Sequence, residues 1–343
     1  MLTIDVGNVN EALPVALMHI QKKGVLRPSR AGSVLEYPEP VATTYQQPWE
    51  CVLMNPDRDA NPFFHMFEAM WILAGRDDVA IPAMFLPRIA EYSDNGEHFH
   101  GAYGYRLRHA LGMDQIQAVA SMLRKDPTTR RAVMQIWDSE ADLATDSKDI
   151  PCNDMVMFKV RNGHLQMTVC NRSNDAIWGA YGANAVQFAI LHMHVAALAG
   201  LPVGSYTQMS DSLHVYTDNA FWRWYLADVS HRKLPPASRP TLQALNVLNT
   251  AMREAPKCLL FDLEVFFEKA AEDPGSVAAG KTYKNSILFE EILIPMWFAH
   301  KAYREGAYMR GFGMAQQIKA PDWREACSAW IGRRFEKKIN GGA

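Results

Sequence analysis

Residues 150–175 begin Ile150-Pro151-Cys152-Asn153, run on through 155–160, turn at Asn162-Gly163, return through 165–170 and end Asn171-Arg172-Ser173-Asn174-Asp175. Both flanking runs are strand-like, and Asn-Gly between them is the strongest short hairpin signal in the chain. A lone cysteine is most often a buried apolar filler. Here a double arginine stands upstream in Asp126-Pro127-Thr128-Thr129-Arg130-Arg131, and Arg172 stands downstream. Guanidiniums on both sides can bind a phosphate dianion and depress a thiol pKa. The pattern points to a cysteine that attacks a phosphorylated substrate.

Working outward, a chain of 343 residues could hold two domains. No Ser/Gly tract, like-charge block or repeat divides it, and the best seam is Leu234-Pro235-Pro236-Ala237-Ser238-Arg239-Pro240. That stretch is short enough to be a rigid turn within one α/β body. Hydrophobic residues make up 48% of the chain, ample for a large core. A net charge of -2 argues against a general nucleic-acid surface, so local arginines must meet a phosphate. The five scattered cysteines (Cys51, Cys152, Cys170, Cys258, Cys327) show no metal-ligand spacing and point to reduced thiols in a cytoplasm. The N-terminus lacks the basic head and apolar stretch of a signal peptide. The longest apolar stretch, 183–201, is interrupted by Asn184, Gln187, His192 and His194, which suits a buried core helix better than a membrane span.

Hydrophobic spacing predicts helices over 11–22, 62–73, 115–123, 183–199, 219–227, 242–252, 286–304 and 323–338. Strands are expected over 33–35, 44–53 (interrupted by Pro48), 131–137 and 206–214, besides the hairpin.

Several segments resemble the thymidylate synthase family, which includes the pyrimidine nucleotide hydroxymethylases of some phages and antibiotic pathways. Arg30-Ala31-Gly32 resembles its phosphate-reaching loop, and Glu68-Ala69-Met70-Trp71-Ile72-Leu73-Ala74-Gly75 its catalytic-glutamate helix. Asn95-Gly96 and Ala102-Tyr103-Gly104-Tyr105-Arg106 follow in order. After them come the Arg-Arg, Pro-Cys and Arg-Ser motifs, then Asp211-Ser212-Leu213-His214-Val215-Tyr216. The resemblance implies an α/β (α+β) fold: a large mixed β-sheet flanked by helices, with one sheet face forming a dimer interface. Residues 1–230 would be the family core and 231–343 a divergent, mainly helical part of a single domain.

It also implies roles. Pyrimidine carbon 5 becomes nucleophilic once a thiolate adds at carbon 6, so Cys152 is the expected nucleophile. Glu68, a carboxyl in an apolar helix, is expected to shuttle protons at a raised pKa, with Tyr103 as a proton relay. Arg30, Arg172 and Ser173 would bind the 5′-phosphate, joined by Arg130 and Arg131 from the other subunit of a homodimer. His214 and Tyr216 alternate on a strand and would grip the sugar. Asn184, Asn153 and Asp154 would meet the base. Asp175, Asn95 and Trp71 would bind 5,10-methylenetetrahydrofolate. No metal, membrane or nucleic acid is implied, and the setting would be the cytoplasm of a bacterial or phage-infected cell.

The departures from the pattern bear on the product. The segment Gly179-Ala180-Tyr181-Gly182-Ala183-Asn184 is one residue longer than in the synthases. An amide at Asn184 can pair with uracil's N–H and carbonyl, whereas cytosine hydroxymethylases often carry Asp there. Asn153 replaces the synthase histidine. Phe85-Leu86-Pro87-Arg88-Ile89-Ala90-Glu91-Tyr92 replaces a Trp-rich run, and the chain ends Ile339-Asn340-Gly341-Gly342-Ala343 in place of a closing apolar tail. These differences favour hydration over hydride delivery. The expectation is a dUMP hydroxymethylase, with thymidylate synthase, a dCMP or CMP hydroxymethylase, and an inactive nucleotide-binding subunit as alternatives.

Overall fold

The structure is a computed structural model and describes residues 1–227, 246–278 and 283–341. The Pro-rich seam at 234–240 and the beginning of the expected 242–252 helix lie outside the described residues. The strands are β1 (Leu2–Val6), β2 (Val25–Ser29), β3 (Gly32–Glu36), β4 (Val41–Tyr45), β5 (Val133–Gln135), β6 (Asn153–Arg161), β7 (His164–Asn171), β8 (Asn174–Asp175), β9 (Val203–Ser210) and β10 (Leu213–Tyr216). A mixed sheet runs β1-β4-β9-β7-β6-β5, and a smaller one runs β2-β3-β10-β8.

The helices begin with α1 (Val9–Lys23), α2 (Pro62–Leu73), α3 (Ala80–Phe85), α4 (Tyr103–Tyr105) and α5 (Gln115–Lys125). They continue with α6 (Ser139–Asp142), α7 (Asn184–Ala199), α8 (Ala220–Ala227), α9 (Val247–Met252) and α10 (Leu259–Glu272). The last are α11 (Ile294–Arg304), α12 (Tyr308–Ala315) and α13 (Pro321–Ile339).

The Asn162-Gly163 turn holds φ values of 51° and 75°, the left-handed pair that a two-residue hairpin needs. It sets a register from Arg161↔His164 down to Met155↔Cys170. A bulge then shifts it, so that Asn153 pairs with Asn171 and the Arg172 N–H donates to the Cys152 carbonyl at 3.1 Å. The Asp154 carbonyl in this bulge takes both the Ile136 and Trp137 N–H groups at 2.9 Å. The turn and the bulge together place the cysteine beside the arginine.

Helix α2 starts where Asn61 accepts from the Phe63 and Phe64 N–H groups, with Pro62 in the first turn. It stops at Gly75, whose φ of 72° a larger residue would resist. Gly104 lets α4 touch α2: a Cβ there would lie 2.2 Å from the Ile72 carbonyl oxygen. Tyr103 is thereby held against the helix that carries Glu68. Helix α7 packs on α2 and α5. Residues Ala176–Ala199 form a run apolar and long enough to cross a membrane, but nearly all of it is buried inside the protein.

Four expected elements differ. The 44–53 strand is β4, ending at Tyr45, because the Gln46 and Gln47 N–H groups turn to the Val6 and Gly7 carbonyls. The 206–214 strand is two strands in different sheets. Between them the Asp211 N–H bonds to Asn171, and the Ser212 carbonyl accepts from Asn174. The 131–137 strand shortens to β5. The 286–304 helix opens into a wider turn at Phe289–Leu293 before α11. Helix α10 was not assigned from sequence, although Leu259, Leu263, Phe266, Phe267 and Ala270 line one buried face at helical spacing.

The C-terminal helices cover α2. Phe67 stacks on Phe85 at 4.5 Å and meets Trp297 edge-on at 5.4 Å, while Phe63 meets Trp330 at 5.5 Å. Arg333 and Arg334 of α13 both pair with Asp59, just before α2.

Candidate active site

Cys152 sits half-buried at the mouth of the hairpin, ringed by groups from four parts of the chain. Arg172 Nε donates to the Pro151 carbonyl at 2.8 Å, and its Nη2 to the Ile150 carbonyl at 3.1 Å. Arg30, at the tip joining β2 to β3, donates to the Ser147 and Lys148 carbonyls at 3.0 and 2.9 Å. Both guanidiniums therefore grip the loop that delivers the thiol. Both pull the thiol pKa down as expected, but they do not set its net direction. Burial pushes the Cys152 thiol up, Arg172 pulls it back, Asp149 and Asp154 add to the rise, and Arg30 offsets little. In the free enzyme desolvation wins.

Glu68 shows the same physics. Every other residue of α2 is buried, and burial pushes the Glu68 carboxyl up to about 8. A 2.6 Å hydrogen bond from Gln187 Nε2 to Glu68 Oε2 opposes the rise, and nearby Asp149 adds to it. Tyr103 lies against this group: burial raises its pKa well above that of a free tyrosine, with Cys152, Asp149 and Glu68 contributing. Asn153, wholly buried, lies close enough to lower the Tyr103 pKa, yet neither of its amide atoms meets hydrogen-bond geometry. Asp154 is raised to about 6, first by burial, against the pull of Arg172.

The small sheet supplies another wall. β8 pairs in parallel with β10, placing Asp175 beside His214. His214 and Tyr216 share a face, with ring centroids 5.6 Å apart. Tyr216 lies within the fields of Asp175 and Cys152 and against Ser29. Asp175 caps the turn after it, accepting from the Ile177 N–H at 2.9 Å, and burial raises its carboxyl.

The extra residue before Asn184 is absorbed in a wide turn over Ala176–Ala183, with Tyr181 and Gly182 outside helical geometry. Tyr181 hydrogen-bonds to Thr43 at 2.8 Å and so pulls the bulge into the core. Asn184 opens α7 and donates to Asn174 Oδ1 at 3.1 Å. Gly179 is required, since a Cβ there would come within 2.9 Å of that oxygen.

Not every expected residue joins the cluster. Arg130 and Arg131 stand exposed ahead of β5, with Arg131 near Asp126. Ser173 is half-buried next to Arg172. Asn95 is exposed and accepts from the Glu97 and His98 N–H groups, a turn-forming role. Trp71 is buried and donates its indole N–H to Asp78 at 3.2 Å, a packing position. Sequence reasoning passed over Asp149, which accepts from the Gly101 N–H at 2.8 Å, as well as Arg58, Trp178 and Gln187. Gln187 was legible as an amide one turn beyond Asn184 on an apolar helix. Arg58 donates to the Ile177 carbonyl at 2.8 Å and lies 5.5 Å over the Trp178 ring, which is 38% exposed. An exposed indole next to the Asp175 carboxylate suits a flat heteroaromatic ring with hydrogen-bonding edges, so the residues present fit a folate.

A family model for thymidylate synthase matches residues 59–254. The chain belongs to the thymidylate synthase family. A deoxyuridylate hydroxymethyltransferase of Pseudomonas phage M6 is 39% identical over 341 residues, spanning 97% of this chain and 95% of that one. The likeness continues through α10–α13, beyond the reach of the family model. A protein of the same description from Bacillus phage SP01 is 38% identical over 58% of this chain and 55% of its own. Thymidylate synthase from T4 phage shares the fold, with a TM-score of 0.52 and 19% identity over 62% of this chain and 79% of that one. The family's fold and one-carbon transfer to a nucleotide hold for this chain.

The raised Glu68 carboxyl makes a prediction about stability. Its folded pKa lies above the ordinary 4.5, so folding favours the protonated form. That contribution is full below pH 4.5 and is lost as pH rises through about 8. Replacing the carboxyl removes the loss, so the stability advantage of Glu68→Gln over wild type should widen from pH 5.5 to pH 9. The widening should be on the order of 3 kcal/mol by urea titration. A constant difference would show that the carboxyl is not raised.

Proposed function

We propose that this protein transfers a hydroxymethyl group to carbon 5 of dUMP. The observation that carries this reading is the likeness, over nearly the whole length of both chains, to a phage deoxyuridylate hydroxymethyltransferase. The assembled cluster of Cys152, Glu68, Tyr103, Arg30 and Arg172 supplies the chemistry.

Arg30, Arg172 and Ser173 bind the 5′-phosphate. The main-chain carbonyls that now hold the two guanidiniums are weaker acceptors than a phosphate dianion. His214 and Tyr216 meet the sugar hydroxyl from their shared face. Asn184, fixed through Asn174, reads the ring edge, with Asn153 and Asp154 lining the base pocket. Cys152 Sγ adds to carbon 6, and the electron pair moves to carbon 5 and the carbonyl oxygen. Tyr103 relays the proton leaving carbon 5, its hydroxyl passing one proton on as it receives another, and Glu68 handles protons at the carbonyl side.

Methylenetetrahydrofolate, when bound, supplies the one-carbon unit as an electrophile. Asp175 and the exposed Trp178 ring are the residues that would hold it. Trp178 takes the part first expected of Trp71, and Asn95 serves only by shaping its loop.

The protein acts as a homodimer. Along β6, β7 and β9 one face is buried under helices, while Met155, Met157, Gln166, Thr168, Cys170, Ser205 and Thr207 remain partly exposed on the other. A second copy would cover this face and bring its Arg130 and Arg131 to the phosphate.

Incubating the enzyme with dUMP and methylenetetrahydrofolate should give 5-hydroxymethyl-dUMP by mass, with no rise in absorbance from dihydrofolate. Thymidylate together with dihydrofolate would refute the reading. For the dimer, inactive Arg131→Ala and inactive Cys152→Ala chains should regain activity when mixed, reaching roughly a quarter of wild type if chains pair at random and one intact site works alone. Heterodimers that form but stay inactive would refute the shared site.

A further inference from the structure

Gln187 is buried, at 6% exposure, on the face of α7 that also carries Asn184. Its amide is half used. Nε2 donates to Glu68 Oε2 at 2.6 Å, whereas Oε1 is buried with no hydrogen-bond partner among the described residues. A buried amide carbonyl left unpaired is costly, so it is retained where something else pairs with it. Asn153, adjacent to Cys152 and close enough to Tyr103 to lower its pKa, is likewise wholly buried with neither amide atom in hydrogen-bond geometry. A water, which takes two or more polar partners, can pair groups of this kind.

We propose that Gln187 is a positioning residue for the water that hydrates the one-carbon unit. Its Nε2 holds the Glu68 carboxyl in one orientation, and its Oε1 accepts a hydrogen bond from the water that Glu68 deprotonates. The inference rests on the hydroxymethylation reading above. At the exocyclic methylene stage the nucleotide is bound to Cys152 through carbon 6 and carries CH2 double-bonded to carbon 5. The water oxygen bonds to that CH2 carbon, and its proton passes to the Glu68 carboxylate. The electron pair of the exocyclic double bond moves into the ring, carbon 5 re-forms its double bond to carbon 6, and Cys152 Sγ leaves as thiolate. Nothing is oxidised or reduced, and Cys152 is freed, regaining a proton to return to its resting thiol.

A residue acting at this step should change how the intermediate is partitioned and not merely the rate. The test uses full-length enzyme, dUMP tritiated at carbon 5 and methylenetetrahydrofolate. It compares wild type with Gln187→Met, which keeps the length of the side chain and removes both amide atoms. Wild type should release one tritium per hydroxymethyl product. In Gln187→Met, product formation should fall further than tritium release, raising that ratio tenfold or more, on the order expected for losing a positioned proton-transfer group. The free enzyme gives a second readout. Infrared titration of the Glu68 carboxyl should move to higher pH in Gln187→Met, because the N–H that favoured the ionised form is gone.

A ratio that stays near one while hydroxymethyl product still forms, or an unmoved Glu68 titration, would overturn the role of Gln187 alone. Wild-type enzyme that makes thymidylate would overturn the proposed function and this inference with it. Should Gln187→Met fail to bind dUMP, Gln187→Leu is read by the same two measurements.

Discussion

Helix α2 buries eleven of its twelve residues, and the remaining one is Glu68. That single imbalance organises the site. A carboxyl in such a helix has too little water to stay ionised, so it holds its proton near neutral pH and can give it up or take it back during a reaction. The C-terminal helices maintain the imbalance by laying Trp297, Phe266 and Trp330 over the aromatic face of α2. Arg333 and Arg334 tie α13 to Asp59 beside them. A region remote in sequence thereby helps to set the proton affinity of the Glu68 carboxyl.

Desolvation also governs the thiol, and here it works against the obvious expectation. Two arginines flank Cys152, yet their charge is directed at main-chain carbonyls and does not overcome burial. On the proposed reading, a phosphate that draws the two guanidiniums would also bring the pyrimidine ring beside the thiol, coupling binding to activation through the 147–152 loop.

Much of this was legible in the sequence because it depended on local rules. Asn162-Gly163 dictated the hairpin, Asn61-Pro62 and Gly75 bounded α2, and an acidic residue amid apolar ones marked Glu68. The rest depended on which partner won a hydrogen bond at long range. A strand running through 206–214 looked continuous, but Asn171 and Asn174 capture the chain at Asp211-Ser212 and turn it into a second sheet. The non-helical turn at Tyr181 and Gly182 before Asn184 is fixed by the long-range Tyr181–Thr43 bond, which local sequence could not announce. Trp71 was expected to meet the folate, yet Asp78 accepts its indole N–H. Gln187 carried a visible signal without a visible partner, because Glu68 lies 119 residues away.

The proposed hydroxymethylation requires water to reach a carbon held between Cys152 and Glu68. Running the reaction in water enriched in oxygen-18 tests this most directly, because the one-carbon donor brings no oxygen of its own. The product nucleotide should carry the heavy oxygen in its new CH2OH group in proportion to the enrichment, with the ring oxygens unlabelled. A one-carbon product without the label, or one bearing a methyl group, would contradict it.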